Sequence, residues 1–225
     1  MTGAGLVPSD LGRELMVTLL LGLYALFVVF ATKYTYRYFI GKGLPHNVAI
    51  YYNRKIIHIM AGGVIALLTP VLYSTPLLPA LAALALGGFL YYFHRRGKLL
   101  YWFQTRDNMY EVNFTIAWGI SLFILWIILG DPRLAVLPAL FIAFGDAVTG
   151  VVRNYLFARR TKHWLGNVAM ALVVVPLGLI YGGLMGGLAG VISSFVERYE
   201  FGPIDDNLLI ALASSLILLS AGLAS

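Results

Sequence analysis

Eight runs of apolar residues, each close to the length needed to cross a bilayer, leave this chain few ways to fold. A hydrocarbon core takes about 20 residues of helix, and inside it every backbone N–H and C=O must be bonded within the segment. The runs lie near 14–32, 56–74, 76–93, 112–130, 133–152, 165–181, 184–197 and 207–224. Composition agrees, since 60% of the 225 residues are hydrophobic and only 12% are charged, about half the charged share of soluble domains. The reading is therefore an all-α polytopic membrane protein, a single integral domain over 1–225. Asp10, Arg13 and Glu14 stand where a signal peptide would carry a basic region, so the first run reads as a spanning helix. Pro70, Pro76 and Asp131-Pro132 mark turns between runs. The seventh run opens on Gly182, Gly183, Gly186, Gly187 and Gly190, a spacing of small residues that lets helix backbones approach closely.

Charge orients the runs. The loops 33–55, 94–111, 153–164 and 198–206 hold fourteen of the sixteen basic residues, leaving Arg13 and Arg133 for the other side. The positive-inside bias predicts these loops in the cytoplasm and both termini outside. In a membrane protein the net charge of +6 reports on that orientation and not on nucleic-acid binding. The absence of cysteine rules out disulfides and thiolate metal ligands.

Polar residues inside these runs need a reason, because ionisable groups in a membrane are costly and are kept mainly for function. Asp146 lies in the fifth run, roughly 10 Å inside the boundary set by Arg153. Two turns of helix separate them, so they share a face, with Gly145 and Gly150 leaving room beside the carboxylate. Arg54 and His58 are four apart and share a face at the start of the second run. With Lys55 they suit an anion, and the expectation is that the helix N-terminus adds to that attraction. Glu111 and Asn113 open the fourth run. Arg159, Arg160 and Lys162 crowd the fifth loop ahead of Gly166 and Asn167. Glu197 and the stretch Asp205-Asp206-Asn207 flank the seventh loop. One of the two aspartates suits a helix N-cap, and carboxylates with an amide are oxygen ligands of the kind Mg²⁺ takes.

These groups all fall at one membrane face. A transporter favours a midplane site open to both sides; a one-sided site suits an enzyme that takes a soluble substrate and a lipid. No phosphate-binding glycine loop, dinucleotide fingerprint, nucleophile elbow or zinc spacing is present. Metal-assisted chemistry on phosphate is the class the residues leave.

The order Arg54-Lys55-x-x-His58, Gly145-Asp146-Ala147, basic loop, Glu197 and Asp206-Asn207-Leu208 resembles the CTP-dependent polyprenol kinase family, which includes dolichol and phytol kinases. The resemblance covers roughly residues 50–220. It implies transfer of the γ-phosphate of CTP, or a similar nucleotide, to an isoprenoid alcohol. On that footing Asp146 would be catalytic and bind Mg²⁺, with Glu197, Asp206 and Asn207 as further metal ligands. Arg54 and His58 would act at the reacting centre. Lys55, Arg153, Arg159, Arg160, Lys162, Asn167, Glu111 and Asn113 would surround the nucleotide. The family usually follows its basic loop with Lys-x-Leu-Glu-Gly, where this chain reads His163-Trp164-Leu165-Gly166-Asn167, so Gly166 or Asn167 takes the Glu position.

Two alternatives stand beside the kinase. A CTP-dependent lipid cytidylyltransferase needs a similar site, but its usual Pro-Gly-His-Gly-Gly run is missing. A lipid or ion carrier needs polar residues through to the outer face. The partners expected are the cell membrane's bilayer, an isoprenoid alcohol and a nucleotide, with the oligomeric state left open.

Overall fold

The computed structural model describes residues 5–157 and 161–222. Among them the chain is helical, with no named strand. The helices are α1 (Leu11–Gly41), α2 (His46–Leu72), α3 (Leu77–Arg95), α4 (Tyr110–Leu129), α5 (Pro132–Phe157), α6 (Trp164–Val196) and α7 (Asp206–Gly222). The first six are long and apolar enough to cross a membrane, while α7 is shorter.

Helix α6 is two antiparallel arms, 164–181 and 184–196. The backbone leaves helical geometry at Gly182 and Gly183, where Gly183 takes φ +55°, a conformation costly for any residue with a Cβ. The arms then lie so close that a Cβ on Gly178 would strike the Gly186 carbonyl. Farther along, the Asn167 amide donates to the Ser194 carbonyl at 2.5 Å. The sixth and seventh runs thus form a hairpin closed by small residues. The second arm, at about 20 Å, falls short of a full hydrocarbon core.

Two boundaries depart from the sequence reading. Helix α1 runs on to Gly41, taking Lys33 and Arg37 out of the first loop, because nothing in Thr32–Ile40 breaks a helix before Gly43 turns the chain at φ +83°. Helix α2 starts at His46, directly after Pro45. Arg54 and Lys55 therefore sit more than two turns inside α2, and the expected contribution of a helix N-terminus to an anion site there is not found. Hydropathy missed this stretch because Asn53, Arg54 and Lys55 are polar yet buried.

Helix α5 is the axis of the bundle. Ala135 through Ala143 are buried to the last residue, and α2, α4, α6 and α7 pack around them. Two π-helical segments meet across this core, His58–Gly63 in α2 and Phe141–Gly145 in α5. A π turn disturbs the regular ladder of backbone hydrogen bonds. Side chains add bonds there: Tyr24 donates to the Met60 carbonyl at 2.7 Å and the Trp118 indole to the Gly62 carbonyl at 3.2 Å. His58 opens one segment and Asp146 follows the other, so both irregular turns adjoin the site. At the opposite end of the bundle, Glu14 accepts from the Ser74 N–H at 2.7 Å and tethers α1 to the α2–α3 turn.

Candidate functional site

The three carboxylates that the sequence singled out for metal come together. Oxygens of Asp146, Glu197 and Asp206 lie within 4.8 Å of one another. They reach this point from the middle of α5, the end of α6 and the start of α7. Each is held by a cation. Lys55 Nζ lies 2.6 Å from both Asp146 oxygens. Arg153 donates to both Glu197 oxygens at 2.7 Å, a two-pronged match that fixes the plane of the carboxylate. Lys162 donates to Asp206 at 2.7 Å and to the Glu197 carbonyl at 2.9 Å. Three carboxylates thus face three cations, and Glu200 brings a fourth carboxylate 3.3 Å from Lys162. Compensation matters because an unpaired buried charge costs several kcal/mol.

His58 sits beside Asp146, with Nδ1 3.2 Å from Oδ2 but out of line for a hydrogen bond. Its ring stacks on Phe114 at 4.0 Å between centroids. Arg54 turns toward the 95–110 connection, donating to the Phe103 carbonyl at 2.7 Å and to Thr105 and Asn108 at 3.1 Å. Arg153 shares the cavity with Asp146 as the spacing predicted, but its ion pair is with Glu197.

Packing accounts for the glycine at position 166. A Cβ at position 166 would run into the Arg153 guanidinium, which crosses the helix start at that point. The next residue, Asn167, accepts from Arg153 at 3.0 Å and donates to Glu197 at 3.1 Å. Asp205 caps α7 by accepting from the Leu208 N–H at 3.1 Å, which frees Asp206 for the cavity. Asn207 donates to Asp205 at 3.2 Å, while its own carbonyl oxygen is buried with no partner.

Outside the helices, charge balance follows from position. Burial works against the Lys162 ammonium, yet Asp206 and Glu197 outweigh it and hold the group above the ordinary lysine range. Burial pushes the Asp205 carboxyl up, against the opposing effect of the Leu208 N–H.

Two voids meet here. The polar one, about 180 Å³, is lined by these carboxylates and cations together with Tyr51, Asn154 and Thr161. The other, about 640 Å³, is an apolar groove between α1, α2, α3 and α4. Arg54 and His58 line both. Leu19, Leu23, Leu26, Phe30 and Phe89 line the groove and keep more than two fifths of their surface exposed, so it opens sideways.

The remaining sequence candidates divide. Asn113 donates to the Pro203 carbonyl at 3.1 Å and steadies the connection into α7. Glu111 is not in the polar cavity but lines the groove, accepting from Gln104 at 2.7 Å. Arg159 and Arg160 lie outside the described residues. Sequence reasoning missed Asn47, Tyr51 and Asn154. The first two would have followed from starting α2 at His46, since 47, 51, 54, 55 and 58 form one helical stripe; Asn154 follows Arg153 on the same turn. The groove itself had no signal, because its lining is ordinary apolar helix.

No family model, curated protein or solved structure matches the chain.

Proposed function

We propose that this protein is a membrane lipid kinase that transfers the γ-phosphoryl group of a nucleoside triphosphate, read as CTP, to an isoprenoid alcohol. The observation that carries the reading is the junction of two voids at His58 and Arg54, one lined by clustered charges and the other apolar and open to the side. Phosphoryl transfer is catalysed by positioning and charge neutralisation, and a soluble donor and a lipid acceptor would each find here a void of matching polarity.

The donor set suits Mg²⁺, which takes oxygen ligands. Asp146, Glu197 and Asp206 offer carboxylate oxygens, and the partnerless Asn207 oxygen faces the same cavity. Mg²⁺ bound there would neutralise phosphate oxygens. Lys162 is the cation best placed to leave its carboxylates for phosphate, because its side chain keeps about a quarter of its surface exposed (27%) while Lys55 and Arg153 are buried. In the reaction, the alcohol oxygen forms a bond to the γ-phosphorus as the bond to the bridging oxygen breaks, and the nucleoside diphosphate leaves. The alcohol proton passes to the His58 ring, which lines both voids and whose Nδ1 lies 3.2 Å from Asp146 Oδ2. Asp146 beside it stabilises the resulting charge.

The chain alternates direction through α5, the two arms of α6 and then α7. We read this as eight passes, with both termini outside and the site at the cytoplasmic face of the cell membrane. The basic loops support that orientation.

Product analysis tests the reading. With γ-labelled CTP, Mg²⁺ and geranylgeraniol, label is expected in the lipid phase. Label entering lipid only from α-labelled CTP would replace the kinase with a cytidylyltransferase.

A further inference from the structure

The groove has a polar end of its own, apart from the charged cavity. Glu111, at the start of α4, is only 7% exposed and lines the groove. One of its oxygens accepts from the Gln104 amide at 2.7 Å, with His94 Nδ1 at 3.5 Å. The other, Oε2, is buried and has no partner, as is His94 Nδ1. A buried acceptor left unmet costs roughly 1–3 kcal/mol, more when charged, and neither Gln104 nor His94, 3.5 Å from the other oxygen, meets this one.

Its position says where that donor comes from. Glu111 is one helical turn from Phe114, whose ring stacks on His58 at the junction. On α3 the lining runs from Pro79 to Phe93, about 21 Å of helix. That is longer than half of a hydrocarbon core of about 30 Å. A single lipid chain in the groove with its polar end at Glu111 would have its tail toward Tyr73 and Thr18, which line the same groove.

We propose that Glu111 Oε2 is the recognition site at which the lipid's hydroxyl is held before transfer at the junction, and that it selects a hydroxyl over a phosphate. This rests on the lipid-alcohol reading of the groove. A hydroxyl donates one hydrogen bond and satisfies the oxygen. A phosphate monoester at neutral pH is mostly ionised, has few protons to donate, and brings negative charge against a carboxylate. The two cations that line the groove do not cancel this. Arg54 is committed to Phe103, Thr105 and Asn108, and Lys98 is exposed at the rim. A site that accepts substrate and rejects product favours product departure, so Glu111 is a specificity residue and not the base.

The test is competition for labelled geranylgeraniol on the full-length protein in nanodiscs, with neither nucleotide nor Mg²⁺. Unlabelled geranylgeraniol should compete at least about tenfold better than geranylgeranyl phosphate. The methyl ether of geranylgeraniol, an acceptor with no donor, should compete about as poorly as the phosphate. Glu111→Gln should bring alcohol and phosphate within about threefold, while Glu111→Asp should keep the preference. Equal competition by alcohol and ether in the wild-type protein overturns the proposal without relying on any variant. An unchanged preference in Glu111→Gln overturns it too. Because no transfer is measured, an alcohol preference in a protein that labels no lipid would retain Glu111 and reject the kinase. Label without the preference would do the reverse.

Discussion

Removing Lys55 should cost this protein much of its stability, and removing Asp146 as well should return most of it. Lys55 Nζ lies 2.6 Å from both Asp146 oxygens, and the two side chains keep only 9% and 4% of their surface exposed. In Lys55→Met the carboxylate keeps only His58 beside it. In Asp146→Asn the ammonium loses its carboxylate and keeps an amide oxygen, the Tyr51 ring 4.9 Å from its centroid and the more distant charge of Asp206. Breaking a buried pair from one side costs about 3–5 kcal/mol, whereas replacing both partners with neutral groups is often near neutral. At about 2–4 °C per kcal/mol for a chain of this size, each single variant should melt roughly 6–20 °C below the wild type in detergent. The double variant Lys55→Met/Asp146→Asn should lie within about 5 °C of it. Thermal unfolding of the four proteins closes a double-mutant cycle. Additive losses would refute the pairing as the source of the stability. The same double variant should be inactive, because the carboxylate is gone, which separates loss of chemistry from loss of fold.

Three further outcomes follow from single contacts. Gly166→Ala should lower activity at least tenfold and destabilise by about 1–3 kcal/mol, because its methyl group displaces the Arg153 guanidinium from Glu197; turnover and melting of the purified variant measure both. Asp205→Asn keeps an acceptor for the Leu208 N–H, so it should be no less stable than wild type at neutral pH, while Asp205→Ala should lose about 1 kcal/mol of capping. The sign comes from burial: it raises the Asp205 carboxyl, so the ionised form burdens the fold. The wild type should therefore gain relative to Asp205→Asn as pH falls through the raised folded value towards the ordinary aspartate range, and gain no more below it, which melting against pH reads out. Gly22 lines the groove and a Cβ there meets nothing, so Gly22→Trp should fold normally and raise the KM for a long-chain alcohol several-fold in a steady-state assay, leaving the KM for nucleotide unchanged.

The site was more legible in the sequence than its pairing. Asp146, Glu197, Asp206 and Asn207 stood out because a charge or amide within or beside an apolar run needs a reason; the three carboxylates meet and Asn207 lines the same cavity. Which cation serves which carboxylate was not legible: Arg153, two turns from Asp146, crosses to Glu197 on another helix, and Lys55 arrives from α2. Hydropathy placed the hairpin turn, because Gly182 and Gly183 interrupt an otherwise apolar stretch. It misplaced the start of α2, because a helix face turned toward a polar cavity reads like a loop. Glu111 looked like a neighbour of the nucleotide from its place at a helix start, but the side of α4 it occupies faces the groove. Helical position alone fixes depth in the membrane, and packing decides which void a side chain enters.

The most direct measurement incubates wild-type protein and the Lys55→Met/Asp146→Asn variant, both shown to be folded, with Mg²⁺, γ-labelled CTP and geranylgeraniol, and counts label in the extracted lipid. The account predicts label from the wild type, none from the variant, and none from the wild type when Mg²⁺ is chelated. No label from folded wild type with CTP, ATP or UTP would contradict it, as would equal label from the variant.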